Sequence, residues 1–436
     1  MVDRRGLLTG AAGAFGATAL ASLPAVPAMG AGPSHPLRER LQADMEAYAA
    51  FGSKLSGSKG DRDSARWVGK RLSAAGFDVR LTEFDVPTFA PGVAELSVGE
   101  ARLPVMPQPI VITTPRAGIE AALCLVRDPV EAPSVRDKIA VLILPYDRHA
   151  ALFRGSAATF LKAVVPHAPA AIIIVTTGPT GKIIALNAKL EPAARVPIAL
   201  LAPDDLPPVI KAAAAGRPAR LTVTGTSSVG QSSNIVASRK AGSKWLAFST
   251  PRSGWGICAG ERGPGIAAFL EFCHWAAVRF PSHSLFAICT GGHELDFVGT
   301  HHALSEGPPA TDTLLWTHLG AGLATRDAFE VLGRRNELLS SADPQRAMMC
   351  SPSLLQDVLR AFQGQAGYEQ PIEVVGGAGE LSSIIDRGYT NAFAGLGIHR
   401  WCHVADDTID KVDGGLLLPV VEGHRAVIEA VVGRMA

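Results

Sequence analysis

The chain has 436 residues, 47% of them hydrophobic and 19% charged, with a formal net charge of +1. That composition belongs to a globular protein long enough for two or three domains with real cores. A balanced charge gives no reason to expect a nucleic-acid partner.

In chain order, the first thirty residues stand apart. Arg4-Arg5 precedes GLLTGAAGAFGATALASLPAVPAMGA, a Gly/Ala-rich stretch too weakly hydrophobic and too interrupted for a comfortable membrane span. A paired arginine before a modest apolar region and small residues reads as a twin-arginine export signal over residues 1–31. Cleavage after Ala28 or Ala31 would give a periplasmic or secreted protein with no stable membrane association. An uncleaved anchor and a buried helix are the alternatives. The six cysteines (Cys124, Cys258, Cys273, Cys289, Cys350 and Cys402) include no CxxC pair, so their spacing specifies no disulfide and excludes zinc-finger ligation.

Leu37, Leu41, Met45 and Tyr48 fall at helical intervals and predict a helix over 36–50. A Ser/Gly loop leads to a second helix with Ala65, Val68 and Leu72 on one face, closed by Gly76. Alternating Phe77, Val79 and Leu81 then predict a strand. Between 98 and 226 short β-rich runs, among them IEAALCLV, KIAVLILP, AAIIIVTT and ARLTVTGT, alternate with turns and two helices. This segment reads as an insert with its own core and without a cluster of acid, His or Cys residues at ligand spacing. The flanking parts, 32–97 and 227–436, read as one discontinuous α/β domain. Past 227 come the strands NIVASR and WLAFST, a glycine-rich loop, and a helix with Pro264 in its first turn. The strands SLFAICT, DTLLWT and TNAFAGLG follow, with helices over 351–362, 380–387 and 416–435.

Several of these strands end in polar groups of ligand type. SLFAICT runs into Gly291-Gly292 and then the adjacent pair His293-Glu294. WLAFST leads to Thr250, Arg252 and Glu261, DTLLWT to His318, and TNAFAGLG to His399 and His403. In a parallel sheet the carboxyl ends of the strands share one edge, where ligands bind. Mixed His/carboxylate ligation suits zinc, and three protein ligands with an open position is the catalytic pattern.

These segments resemble the zinc-dependent exopeptidases of the aminopeptidase Y and bacterial leucyl aminopeptidase type, which also include glutaminyl cyclases. The resemblance covers nearly all of the chain past residue 31. It rests on GSKLSGSKGDRDSARWVGKRLSAAGF, SSNIVASRKAGSKWLAFST, GGHELDFVGT and CHVADDTIDKVD. The insert is similar to a protease-associated domain, through RDKIAVLILP, APAAIIIV and VPIALLA. The resemblance implies a three-layer α/β/α sandwich around a mostly parallel sheet, carrying a β-rich insert. The departures are specific. Thr250-Pro251-Arg252 stands where the family has His-x-Asp, and Glu261 occupies the bridging aspartate position. His293 replaces the glutamate that serves as general base, Glu294 keeps the ligand glutamate, His318 replaces an aspartate, and His403 keeps the late histidine.

The resemblance therefore implies one zinc ion on Glu261, Glu294 and His403, with His293 as base and His318 as a fourth ligand or oxyanion donor. Arg252 and Arg262 would bind a substrate carboxylate, with ordinary surface arginines as the alternative. The implied function is an exported, aminopeptidase-like, metal-dependent hydrolase of small peptides or related amides. A peptidase-like binding protein without catalysis, and a single-zinc cyclising or amidotransfer enzyme, are the alternatives.

Overall fold

The run SLFAICT forms the strand Ser284–Thr290, and every one of its residues is buried. Its side chains enter two different cores: Leu285, Ala287 and Cys289 one, Phe286 and Ile288 the other. A strand that is apolar on both faces must be covered on both. That requirement gives the expected three-layer arrangement. In the computed structural model, which describes residues 35–331, 335–374 and 379–435, the export signal expected at 1–31 lies outside the described residues.

Four strands run parallel as neighbours, in the order Ser284–Thr290, Trp245–Pro251, Thr313–Leu319 and Ala392–Gly397. Antiparallel strands flank them, Pro218–Arg239 on one side and Arg346–Cys350 on the other. Helices Pro36–Ala50, Lys59–Ala74, Gly263–Arg279 and Gly414–Met435 cover one face of the sheet. Leu381 and Ile384 of helix Glu380–Asp386 and Ala303 of helix Val298–Ala303 pack on the other. Among the described residues no helix is long and apolar enough to cross a membrane.

The segment 98–226 is a ring of strands. Ala101–Pro107, Ile198–Leu201, Ala171–Val175, Ile139–Ile143 and Ile119–Val126 lie side by side in that order. Two long strands, Asp78–Val98 and Pro218–Arg239, flank the set and pair with each other from Asp78↔Ser238 to Ser97↔Arg220. These seven strands therefore leave no unpaired edge between them. They enclose one hydrophobic cluster and carry a second under helix Gly155–Val164. The sequence suggests a break in the second long strand near 226, yet the strand continues to Arg239. The intervening TSSVGQSS is mostly exposed two-stranded ribbon, so no alternation of apolar residues announces it. Residues Pro36–Ala436 form one compact unit.

Arg252 is a structural anchor of that unit. It is fully buried in an ion pair with Asp61, and its Nη2 donates to the Ser233 carbonyl at 2.5 Å. Tyr48 Oη donates to the Arg252 carbonyl at 2.6 Å, and Ser232 Oγ donates to Asp61 Oδ2 at 2.7 Å. Arg252 thus ties the second helix to strand Pro218–Arg239 through its guanidinium and holds the first helix through its carbonyl.

His424 makes an acid-sensitive point far from these groups. It is fully buried among Phe272, Phe362 and Phe393, and its Nδ1–H donates to the Val420 carbonyl at 2.7 Å. Burial pushes its pKa down to about 4. The native state therefore excludes a proton that the unfolded chain binds below about pH 6.5. Stability from this group is full above that pH and is lost as pH falls towards 4, by roughly 3 kcal/mol. Urea unfolding followed between pH 7.5 and 4.5 should show a shallower acid loss in His424→Leu, by about one proton. An unchanged slope would show that His424 is protonated without cost.

Candidate active site

Five residues that the sequence singles out line one cavity of about 410 Å³: Glu261, His293, His318 and His403, expected at strand ends, and Arg262, expected on the substrate. Their backbone positions follow from local chemistry. Gly260 lets the chain pass against Asp407 and His399, where a Cβ would sit 2.7 Å and 2.9 Å from their side-chain atoms. Asp407 accepts the N–H groups of Gly260 and Glu261 at 2.7 Å and 2.9 Å, which fixes Glu261 just before helix Gly263–Arg279. At the end of Ser284–Thr290, Gly292 turns the chain with φ +70° in a place where a Cβ would strike Val298. That turn sends the next two side chains in different directions.

His293 enters the cavity; Glu294 does not. Glu294 is fully buried, with Oε1 accepting the Ser56 N–H and Oε2 the Ser253 hydroxyl, both at 2.6 Å. It lines a separate cavity of about 240 Å³. Its expected partnership with Glu261 and His403 is corrected accordingly: both of its oxygens are occupied elsewhere. Arg252 is corrected for a similar reason, since Asp61 and Ser233 engage its guanidinium away from the cavity. Neither Arg252 nor Arg262 is a surface residue.

The atoms that do converge are those of Glu261, Cys402 and His403, each offering one donor within 4.8 Å of the others. All three are buried and all three line the cavity. His403 Nδ1–H donates to the Ala185 carbonyl at 2.8 Å, which leaves Nε2 facing Glu261 Oε1 at 3.2 Å. Two lone pairs at that distance repel, so a proton or another cation belongs between them. Burial pulls the His403 imidazole down, but Cys402 and Glu261 outweigh it and hold it well above the usual histidine value. Burial likewise raises Glu261, and the charges of Arg262 and His403 overcome it and keep the carboxyl ionised. Glu261 Oε2 is buried without a hydrogen-bond partner. Sulfur, nitrogen and oxygen donors, one of them an orphan, with a histidine oriented through its other nitrogen, fit a zinc ion. Cys402 was not foreseen as a ligand; its place beside His403 was the available signal.

A second set stands across the cavity. Glu380, the first residue of helix Glu380–Asp386, accepts the Nδ1–H of His293 at 2.8 Å. This fixes the tautomer that leaves His293 Nε2 with a free lone pair. Burial first, then the charge of Arg262, push the His293 pKa below its ordinary value. Burial would raise Glu380, but the hydrogen bond and charge of His293, with His318 and Arg262, hold it down at about 2. His318 Nδ1 meets Ser249 Oγ at 2.8 Å, while its Nε2 lies 4.0 Å from Glu380, beyond hydrogen-bonding distance. Burial keeps His318 neutral, with a pKa of about 4. The inner guanidinium is Arg262, whose Nε donates to the Ser253 carbonyl at 2.9 Å and whose Nη2 lies 2.7 Å from Glu261 Oε1. Its Nη1 has no hydrogen-bond partner. Apolar wall is supplied by Phe153, Phe297, Leu396 and Ile398.

The segment 98–226 contributes directly to this site. Besides the Ala185 carbonyl on His403, the Ala185 N–H donates back to the His403 carbonyl at 3.0 Å. Arg148 reaches over to Asp343 Oδ2 at 2.7 Å and the Ile398 carbonyl at 2.8 Å. His399 stays outside the cavity lining, fully buried with its Nδ1 accepting the Trp401 N–H at 3.3 Å.

The architecture is that of known zinc exopeptidases. A zinc aminopeptidase from Bacillus subtilis superposes with TM-score 0.68 at 14% identity, covering 90% of this chain and 94% of that one. A peptidase precursor from Shewanella amazonensis gives TM-score 0.68 at 17% identity, over 90% and 94% of the two chains. An aminopeptidase from an Aneurinibacillus strain gives 0.64 at 16%, over 90% and 93%. No protein-family model matches the sequence, and a search of curated proteins found no match. At these identities the likeness establishes the fold, and the chemistry has to be argued from the residues in the cavity.

Proposed function

We propose that this protein is a metal-dependent hydrolase of peptide or related amide bonds, working with a single zinc ion. The observation that carries the proposal is the pairing of a three-donor cluster, Glu261, Cys402 and His403, with a carboxylate-oriented histidine in the same cavity. When bound, zinc would polarise a carbonyl and ease the deprotonation of water. The chain supplies the rest. His293 takes a proton at Nε2, Glu380 stabilises the imidazolium that results, and His293 can return the proton to the departing amine. Arg262 keeps Glu261 ionised and adds positive charge where the carbonyl oxygen becomes negative. His318 and His293 are both turned towards Glu380, so among the described residues there is one metal-type donor group. That supports one ion rather than two.

Metal analysis of the purified protein after incubation with zinc tests the reading. One equivalent is expected, and chelation should abolish amide hydrolysis. Single changes of Glu261, Cys402 or His403 to alanine should each lower zinc affinity by roughly 10²-fold or more, because an incomplete set of donors remains. Protein that is folded yet takes up no zinc would overturn the hydrolase reading in favour of a binding protein.

Export belongs to the same proposal. Arg4-Arg5 ahead of a weak apolar stretch supports delivery to the periplasm or beyond. Changing both arginines to lysine should trap the precursor in the cytoplasm, as read by fractionation and blotting. Unchanged export would show the pair to be incidental.

A further inference from the structure

The sequence leaves His318 two roles, fourth ligand to a metal or donor of a hydrogen bond. Which of them it fills depends on the nitrogen that carries its ring proton, and two buried neighbours bear on that. On strand Thr313–Leu319, Trp316 and His318 point to the same face. Ser249 of the adjacent strand Trp245–Pro251 is in register with His318 and is 2% exposed. Trp316 is fully buried, and its Nε1–H donates to Ser249 Oγ at 2.7 Å. An indole nitrogen can only donate, so the direction of this bond is fixed.

The other partner of Ser249 Oγ is His318 Nδ1 at 2.8 Å, and among the described residues the hydroxyl makes no third hydrogen bond. Its single hydrogen therefore has one acceptor within reach. With the ring proton on Nδ1, two donors would converge on Oγ and the hydroxyl hydrogen would be buried without a partner, a costly arrangement. With the ring proton on Nε2, every donor has its acceptor: Trp316 gives to Ser249, and Ser249 gives to His318. The far side of the ring agrees. Nε2 lies 4.0 Å from Glu380 Oε2, in the same cavity. A lone pair there would face those of an ionised carboxylate, whereas an N–H turns its positive end towards them.

We infer that Trp316 and Ser249 lock His318 as its Nε2–H tautomer, so that it serves as a donor facing Glu380 and not as a ligand to a metal. A metal bond at Nε2 would need the lone pair that this proton occupies. Moving the proton to Nδ1 would break the hydrogen bond from Ser249. The oriented N–H draws Oε2 of Glu380 to its side and leaves Oε1 for the Nδ1–H of His293. Trp316, Ser249 and His318 are thus positioning residues, a file of donors that ends on the carboxylate orienting the base. That last step rests on the hydrolase reading above; the tautomer does not.

Histidine-selective nitrogen-15 labelling, with correlation of the ring nitrogens to the ring protons, reads the tautomer with and without zinc. The His318 signals are those that vanish in both His318→Gln and His318→Leu. A protonated Nε2 is expected in either state. A protonated Nδ1, or an Nε2 that loses its proton when zinc is added, overturns the inference. Ser249→Ala removes the donor to Nδ1, and the Nδ1–H form should then become detectable; a spectrum that does not change shows that Ser249 does not set the tautomer and overturns the lock. In turnover, His318→Leu should lower kcat roughly 10-fold, with KM within about 2-fold and one zinc retained. His318→Gln, whose amide can still donate, should recover most of that loss. Loss of zinc in His318→Leu, or a glutamine variant no better than the leucine one, overturns the positioning role. If the unaltered protein hydrolyses no amide, the hydrolase reading fails, and the ring-nitrogen spectrum decides the tautomer by itself.

Discussion

Replacing His293 by alanine is expected to lower turnover roughly 10²–10⁴-fold while the protein still takes up its zinc. The two readouts separate because His293 is hydrogen-bonded to Glu380 and stands outside the Glu261–Cys402–His403 cluster. Glu380→Gln keeps an acceptor for the His293 Nδ1–H and loses the charge that stabilises the protonated ring. It should cost less, about 10-fold or more, and again spare the metal. Turnover and bound zinc are measured on the same preparation. If His293→Ala loses zinc in proportion to activity, His293 is a ligand and the assignment of roles is wrong.

The second large effect is on stability. Asp61→Ala leaves the Arg252 guanidinium buried and unpaired, which should cost about 3–5 kcal/mol in urea unfolding. Asp61 and Arg252 are both fully buried, so solvent cannot take over the lost partner. Replacing both residues together, as Asp61→Leu with Arg252→Met, removes the charge as well and should recover much of the loss. A double variant no more stable than the single one would show that the bonds to Ser232 and Ser233 matter more than the charge pair. Binding experiments on Arg252 variants must be read against this loss of stability, since the residue lies away from the cavity.

The α/β/α arrangement was legible because its strands are apolar on both faces and its helices carry one clear apolar stripe. Phe248 and Leu285 on one side of the sheet and Ala247 and Phe286 on the other needed no more than alternation to be placed. Strand ends also led to Glu261, His293, His318 and His403, because a parallel sheet brings those ends to one edge. Direction was harder to read than position. His293 and Glu294 are neighbours in sequence, but the Gly292 turn decides which of them faces the cavity, and residue type does not reveal it. Glu380 gave no signal of this kind. It opens a helix, where an acid ordinarily complements the helix dipole, and it lies 87 residues from the histidine it orients. Cys402 belongs to no CxxC pair, so spacing did not mark it as a ligand, and the fold sets its sulfur beside Glu261 and His403.

The pairing of Asp78–Val98 with Pro218–Arg239 bears on how the chain matures during synthesis. The first of these strands leaves the ribosome well before its partner exists, by on the order of ten seconds at the usual rate of translation. For that interval a long β-forming ribbon waits with its backbone groups unmatched, open to pairing with the wrong chain. The strands made meanwhile, from Ala101–Pro107 to Ile198–Leu201, can gather beside it and draw the two ends of the segment together. Such local compaction shortens the effective loop that the late strand must close. The segment 98–226 thus acts as a folding tether as well as a wall of the cavity, and mutations that slow its own collapse should reduce the yield of native protein without touching a catalytic group.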